Sequence, residues 1–145
     1  MKISEEEACS LVSSLAGKEI THVWRGHGSA IFLELGELSA ASNRKNPRGE
    51  QCIMIEWSWR FEDENRILLG SWSESDQIDR ICHQLLGREV TRVSFFSRIR
   101  EIEVSLSGGY WLLSFATSEG GSEWSIKLNQ RDWVSFQDGT FVVES

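Results

Sequence analysis

Three histidines, His22, His27 and His83, are the side chains best suited to proton transfer or metal binding near neutral pH. No two of them share a short ligand spacing, and the sequence holds no C-x-x-C, so no metal site is expected. Glu62, Asp63 and Glu64 form a run of carboxylates. Acid–base catalysis by carboxylates needs one of them in an apolar cleft with a raised pKa, whereas three consecutive acids read as a solvated turn. Gly26-His27-Gly28-Ser29 has the glycines of a phosphate loop, but a strand pattern follows it where such a loop opens a helix. It reads as a hairpin with His27 exposed between glycines. G-x-S-x-G and a recognisable Cys–His pairing are both missing. The chain is therefore expected to be a non-enzyme with no catalytic residue and no cofactor. A minor enzyme would have to use His27 with the 62–64 acids.

Trp57-Ser58-Trp59 points instead to binding. Strand alternation puts both indoles on one side, provided the strand runs unbroken through Ser58. Beside Glu56 and the acids 62–64 they would form an aromatic patch rimmed by negative charge, as protein-binding hot spots favour. The competing reading is that both rings fill the core. Arg44, Lys45 and Arg48 lie in a long polar stretch and read as loop residues that a partner could touch. The expected contact set is Trp57, Trp59, Glu62, Asp63, Glu64, Arg44 and Lys45.

The elements that position these residues come from an internal repeat. Leu15-Ala16-Gly17-Lys18-Glu19-Ile20-Thr21-His22-Val23 matches Leu85-Leu86-Gly87-Arg88-Glu89-Val90-Thr91-Arg92-Val93 at an offset of 70 residues. Upstream, Ala8, Leu11, Val12 and Leu15 share the i, i+3, i+4, i+7 spacing of Ile78, Ile81, Cys82 and Leu85, which is one apolar stripe on a helix. Ser4 with Glu7 fits a capping box, and Ser73 with Asp76, or Ser75 alone, would cap the second helix. Gly17 and Gly87 sit where a left-handed terminal residue belongs. Downstream, Ile31, Leu33 and Leu35 alternate, as do Ile102, Val104 and Leu106, marking half-buried antiparallel strands. Asp138-Gly139 reads as a hairpin turn. Gly36 to Gly49 is a long loop that the second copy replaces with Ser107-Gly108-Gly109. The expectation is an α+β fold. It would be one domain over 1–145, made of two tandem helix-plus-antiparallel-strand units, about 4–72 and about 74–145. The units would be related by a pseudo-twofold, with the helices packed on the antiparallel sheets.

Composition narrows the partners. The 145 residues carry a net charge of −7, with no basic half. Nucleic acid and anionic membranes are disfavoured, and a basic protein is attracted. Cys9, Cys52 and Cys82 are too few and too scattered for a disulfide framework, and Cys9 and Cys82 are expected as small buried hydrophobes. Glu5, Glu6 and Glu7 do not suit a secretory leader, and no apolar run approaches a membrane span, so a cytoplasmic location is expected.

The L-x-G-K/R-E-I/V-T-x-V repeat, the strand Ile31-Phe32-Leu33-Glu34-Leu35-Gly36, Trp59-Arg60-Phe61-Glu62 and Leu69-Gly70-Ser71-Trp72 together resemble small bacterial proteins associated with polymorphic toxin systems, many of them immunity proteins. The resemblance implies a cytoplasmic protein that binds and neutralises one cognate toxin domain, and it supplies no site residues. The alternative is a small-ligand binding or sensing domain with a cleft between the two repeats.

Overall fold

A computed structural model describes residues 1–40, 45–120 and 123–145. Among them are twelve strands and two α-helices. In chain order these are β1 (Lys2–Ile3), α1 (Glu5–Val12), β2 (Ile20–Arg25), β3 (Ile31–Leu35), β4 (Gln51–Ile55), β5 (Trp59–Glu62), β6 (Ile67–Gly70), α2 (Ser75–Leu85), β7 (Val90–Phe96), β8 (Glu101–Leu106), β9 (Tyr110–Ser114), β10 (Trp124–Lys127), β11 (Trp133–Gln137) and β12 (Thr140–Glu144).

The alternating segments form strands because each buries one face. Ile31, Leu33 and Leu35 point inward from β3, and Ile102, Val104 and Leu106 from β8. The strands make two antiparallel sheets, one of seven in the order β1-β12-β11-β10-β4-β3-β2 and one of five in the order β6-β5-β9-β8-β7. Both sheets feed one apolar core. Phe95 of β7 lies 5.5 Å from Trp124 of β10 and 4.8 Å from Phe141 of β12, ring centre to ring centre, across the gap between sheets. Burying each large apolar side chain there contributes about 1.5–3 kcal/mol.

This corrects the expected α+β arrangement of tandem units with helices on sheets. The protein is mainly β, and its two halves exchange strands. The chain leaves the seven-stranded sheet after β4 and enters the five-stranded sheet as β5. It makes the reverse move between β9 and β10. The three-strand meander β2–β4 is therefore extended by β10–β12, and β7–β9 by β5 and β6. The helices touch strands at or next to sheet edges: α2 packs on β2 and β6, while α1 and the 3₁₀ turn Ser13–Leu15 that continues it pack on β12 and β7. The sheets already cover each other's apolar faces, so only part of each helical stripe is buried. Ala8, Val12 and Leu15 are enclosed, but Leu11 is 39% exposed. The thiols follow suit, with Cys9 exposed, Cys82 half-buried and Cys52 buried, against the expectation for Cys9.

The repeated segments meet each other. Gly17 N–H donates to Val90 O (2.7 Å) and Gly87 N–H to Ile20 O (2.9 Å); Ile20 N–H donates to Arg88 O and Val90 N–H to Lys18 O (both 2.8 Å). Each bond in one half has a counterpart in the other. Gly17 and Gly87 hold φ of 86° and 87°, a left-handed conformation that glycine adopts without strain. The capping box closes on α1, where Glu7 N–H donates to Ser4 Oγ at 3.1 Å. No side chain caps α2, because the Ser73 hydroxyl accepts from Gly70 N–H instead.

Candidate functional site

The two places where the chain changes sheets can be compared atom by atom. Trp59 begins β5 and Trp124 begins β10, and both rings are 1% exposed. A buried indole needs an acceptor for its N–H. Trp59 Nε1 donates to Ser29 O (2.6 Å), and Trp124 Nε1 donates to Arg100 O (2.9 Å). The residue before each tryptophan accepts across the crossover: Phe115 N–H donates to Ser58 O (3.1 Å), and Glu56 N–H donates to Glu123 O (2.7 Å). In register, Trp59 pairs with Ser114 and Trp124 with Ile55. Ala30, Ile55 and Ser58 at the first crossover thus correspond to Glu101, Ser114 and Glu123 at the second.

That substitution makes an acidic cavity. A hollow of about 150 Å³ opens at the second crossover, with Glu101, Glu123, Trp124 and Phe136 in its wall and Ile99, 62% exposed, at its rim. Glu101 is well satisfied, since its oxygens accept from Ser114 Oγ and from Ala116 N–H, both at 2.7 Å. Glu123 is 6% exposed; a weak bond from Ser118 Oγ (3.4 Å) reaches its Oε1, the Ser58 backbone N–H also favours the carboxylate, and Oε2 makes no hydrogen bond of good geometry among the described residues. Burial pushes its carboxyl above the ordinary value of 4.5; the hydrogen bonds from Ser118 and from the Ser58 backbone oppose this, and the charges of Glu101 and Glu56 add to it. Arg100 also lines the cavity, but its guanidinium is committed elsewhere. It grips Glu5 at 2.6 and 3.0 Å and donates to Ser97 O at 2.9 Å.

A second buried polar cluster is structural. On the outer face of the seven-stranded sheet, Glu34 accepts from Trp24 Nε1 (2.8 Å), Gly49 N–H (3.0 Å) and Cys52 Sγ (3.5 Å), and Lys127 Nζ donates to Gly49 O (3.3 Å). These bonds clamp the return of the long loop. Gly49 is required there, because a Cβ would come within 2.4 Å of Leu35 O. Burial first, and Glu34 next, push the Cys52 thiol well above its usual value, so it is no nucleophile.

The residues expected from sequence fall apart. The strand breaks between Ile55 and Trp59, so Trp57 turns out, 45% exposed, while Trp59 is core. The two indoles form no common patch. Glu62 pairs with Arg60 at 3.0 Å, Asp63 caps its own turn by accepting from Asn65 and Arg66 N–H, and Glu64 is exposed. Lys45 is exposed, and Arg44 lies outside the described residues. His27 is exposed, and His22 pairs with Asn46 Oδ1 at 2.9 Å. No group of three or more His, Cys, Asp or Glu among the described residues is placed to hold a metal, and no described helix is long and apolar enough to cross a membrane. Sequence reasoning missed Glu101 and Glu123 because each is a lone acid. The repeat already sets Ile31 against Ile102 and Trp59 against Trp124, and comparing the residues just before them, Ala30 with Glu101 and Ser58 with Glu123, was the available signal. Compared with family models, curated proteins and solved structures, the chain matches none.

Proposed function

We propose that this chain is a non-enzymatic binding module that captures a protein with a basic surface, as an immunity protein captures its toxin. The observation that carries the reading is the acidic cavity. One crossover holds two nearly buried carboxylates where its counterpart manages with alanine and serine, so a joint of this kind can be built without them. A buried carboxylate with an unsatisfied oxygen, as at Glu123 Oε2 among the described residues, costs stability, and such a cost persists where it serves binding. The net charge of −7 would steer a basic partner toward the surface. The test is affinity capture from the native host, purification of the captured protein, and measurement of the reconstituted complex across salt concentrations. A basic partner whose affinity falls with salt, and whose toxicity on expression is relieved by this chain, supports the reading. A captured protein that binds with no salt dependence, or none that survives purification, ends it.

A second reading has its own observation. An open cleft of about 360 Å³ lies between α1 and β7, lined by Glu5, Cys9 and Ser13 on one side and Arg92 and Phe95 on the other. It joins the two halves, as a small-ligand domain would require. A ligand held there raises the melting temperature in a metabolite screen, and a screen with no hit disposes of it.

A further inference from the structure

We infer that the cavity at the second crossover is a receptor for one guanidinium group, the head of an arginine side chain presented by the protein partner; this rests on the binding reading above. Two carboxylates from separate segments face one small hollow. Glu123 offers an oxygen, Oε2, with no hydrogen-bond partner among the described residues, and Glu101 holds both of its oxygens in place through short bonds to Ser114 and Ala116. Each Glu101 oxygen accepts one bond in the described contacts and has capacity for a second. The occupant must therefore be cationic and must donate in several directions.

A planar guanidinium has five donors in a fixed fork and is weakly hydrated, so it enters a half-enclosed site at lower desolvation cost than an ammonium. Trp124 and Phe136 border the hollow and suit the apolar stem of an arginine. A volume of about 150 Å³ admits a side-chain head and excludes a folded segment. A metal ion is the poorer occupant: Asp138 also lines the hollow, but no group of three or more His, Cys, Asp or Glu among the described residues is placed to hold one. Arg100 does not fill the role, because Glu5 and Ser97 hold its guanidinium. Ile99 at the rim adds an exposed apolar contact beside the acids, which is the surround expected of a buried ionic anchor.

The groups facing Glu123 are Glu101 at the start of β8, Glu56 beyond β4, Asp138 in the β11–β12 turn and Arg100 before β8. A cation that enters favours the ionised form of Glu123, so binding strengthens as the pH rises and Glu123 loses its proton.

The experiment is an NMR titration of the full chain with N-acetyl-arginine amide, following the Trp124 indole N–H. N-acetyl-lysine amide and calcium chloride are titrated in parallel. Saturable shifts with a dissociation constant on the order of millimolar are expected for so small a probe. The lysine probe should bind roughly tenfold more weakly and calcium should leave the signal unmoved. Glu123→Gln should weaken the arginine probe at least about tenfold, whereas Glu6→Gln, which removes the same charge on α1, should not. The indole signals report that each variant is folded. No saturable response, an equal response in Glu123→Gln, or a response to calcium in place of arginine overturns the inference. If a basic partner binds Glu123→Gln as tightly as the parent chain, the receptor falls and the binding reading stands. If the arginine probe binds but no basic protein does, the reading falls and the receptor stands.

Discussion

The first crossover, between β4 and β5, and the second, between β9 and β10, are built on the same hydrogen bonds and differ in what surrounds them. Each tryptophan sends its indole N–H to the carbonyl two residues or one residue ahead of the facing strand, Ser29 for Trp59 and Arg100 for Trp124. The first crossover closes over Ala30 and Ile55. The second keeps Glu101, Ser114 and Glu123 in the same places and leaves a hollow. One scaffold thus supports both a sealed joint and an acidic one. A joint of this kind can thus be built without acids, and Glu123, which unlike Glu101 makes no short hydrogen bond, is the better functional candidate of the two.

The strongest way to break the comparison is to remove the shared part. Trp59→Ala and Trp124→Ala should each cost about 3–5 kcal/mol in urea denaturation, since each empties a fully buried site. A much smaller cost for Trp124 than for Trp59 would show that the two joints are not equivalent. Next comes Glu101→Ala. It leaves the Ser114 hydroxyl and the Ala116 amide without their acceptor, and should cost about 2 kcal/mol by the same measurement. A neutral result would mean that Glu101 takes no part in holding the joint.

The smallest effect has the opposite sign. Glu123→Gln should stabilise the chain at neutral pH by about 1 kcal/mol, because it removes a buried charge that is only weakly compensated, its Oε2 being unsatisfied among the described residues. The pH dependence follows from the raised carboxyl of Glu123. The folded chain keeps that proton to higher pH than the unfolded chain, so the stability linked to it is full below about 4.5 and is lost as the pH climbs through the folded-state value. Thermal unfolding of the parent and the variant from pH 4 to 8 should therefore converge at the acid end and part toward neutrality. Parallel curves would show that Glu123 ionises freely.

Much of the local structure was legible in the residues. The alternation in Ile31-Phe32-Leu33-Glu34-Leu35 and Glu101-Ile102-Glu103-Val104 gave strands, Ser4 with Glu7 gave a cap, and Asp138-Gly139 gave a hairpin turn with φ of 49° and 78°. The candidate site was not legible. The run Glu62-Asp63-Glu64 looked like the acidic feature and is solvated or self-capped, while Glu101 and Glu123 looked like ordinary surface acids and are buried.

The order of residues was enough for the helical stripes, the strand faces and the left-handed glycines at 17 and 87, because each depends on neighbours a few positions away. Which strand lies beside which, the exchange of β5 and β10 between sheets, and the enclosure of Glu123 belong to the folded whole. They depend on contacts between residues far apart in the chain, such as Trp124 with Ile55 and Glu56 with Glu123, for which local periodicity carries no signal.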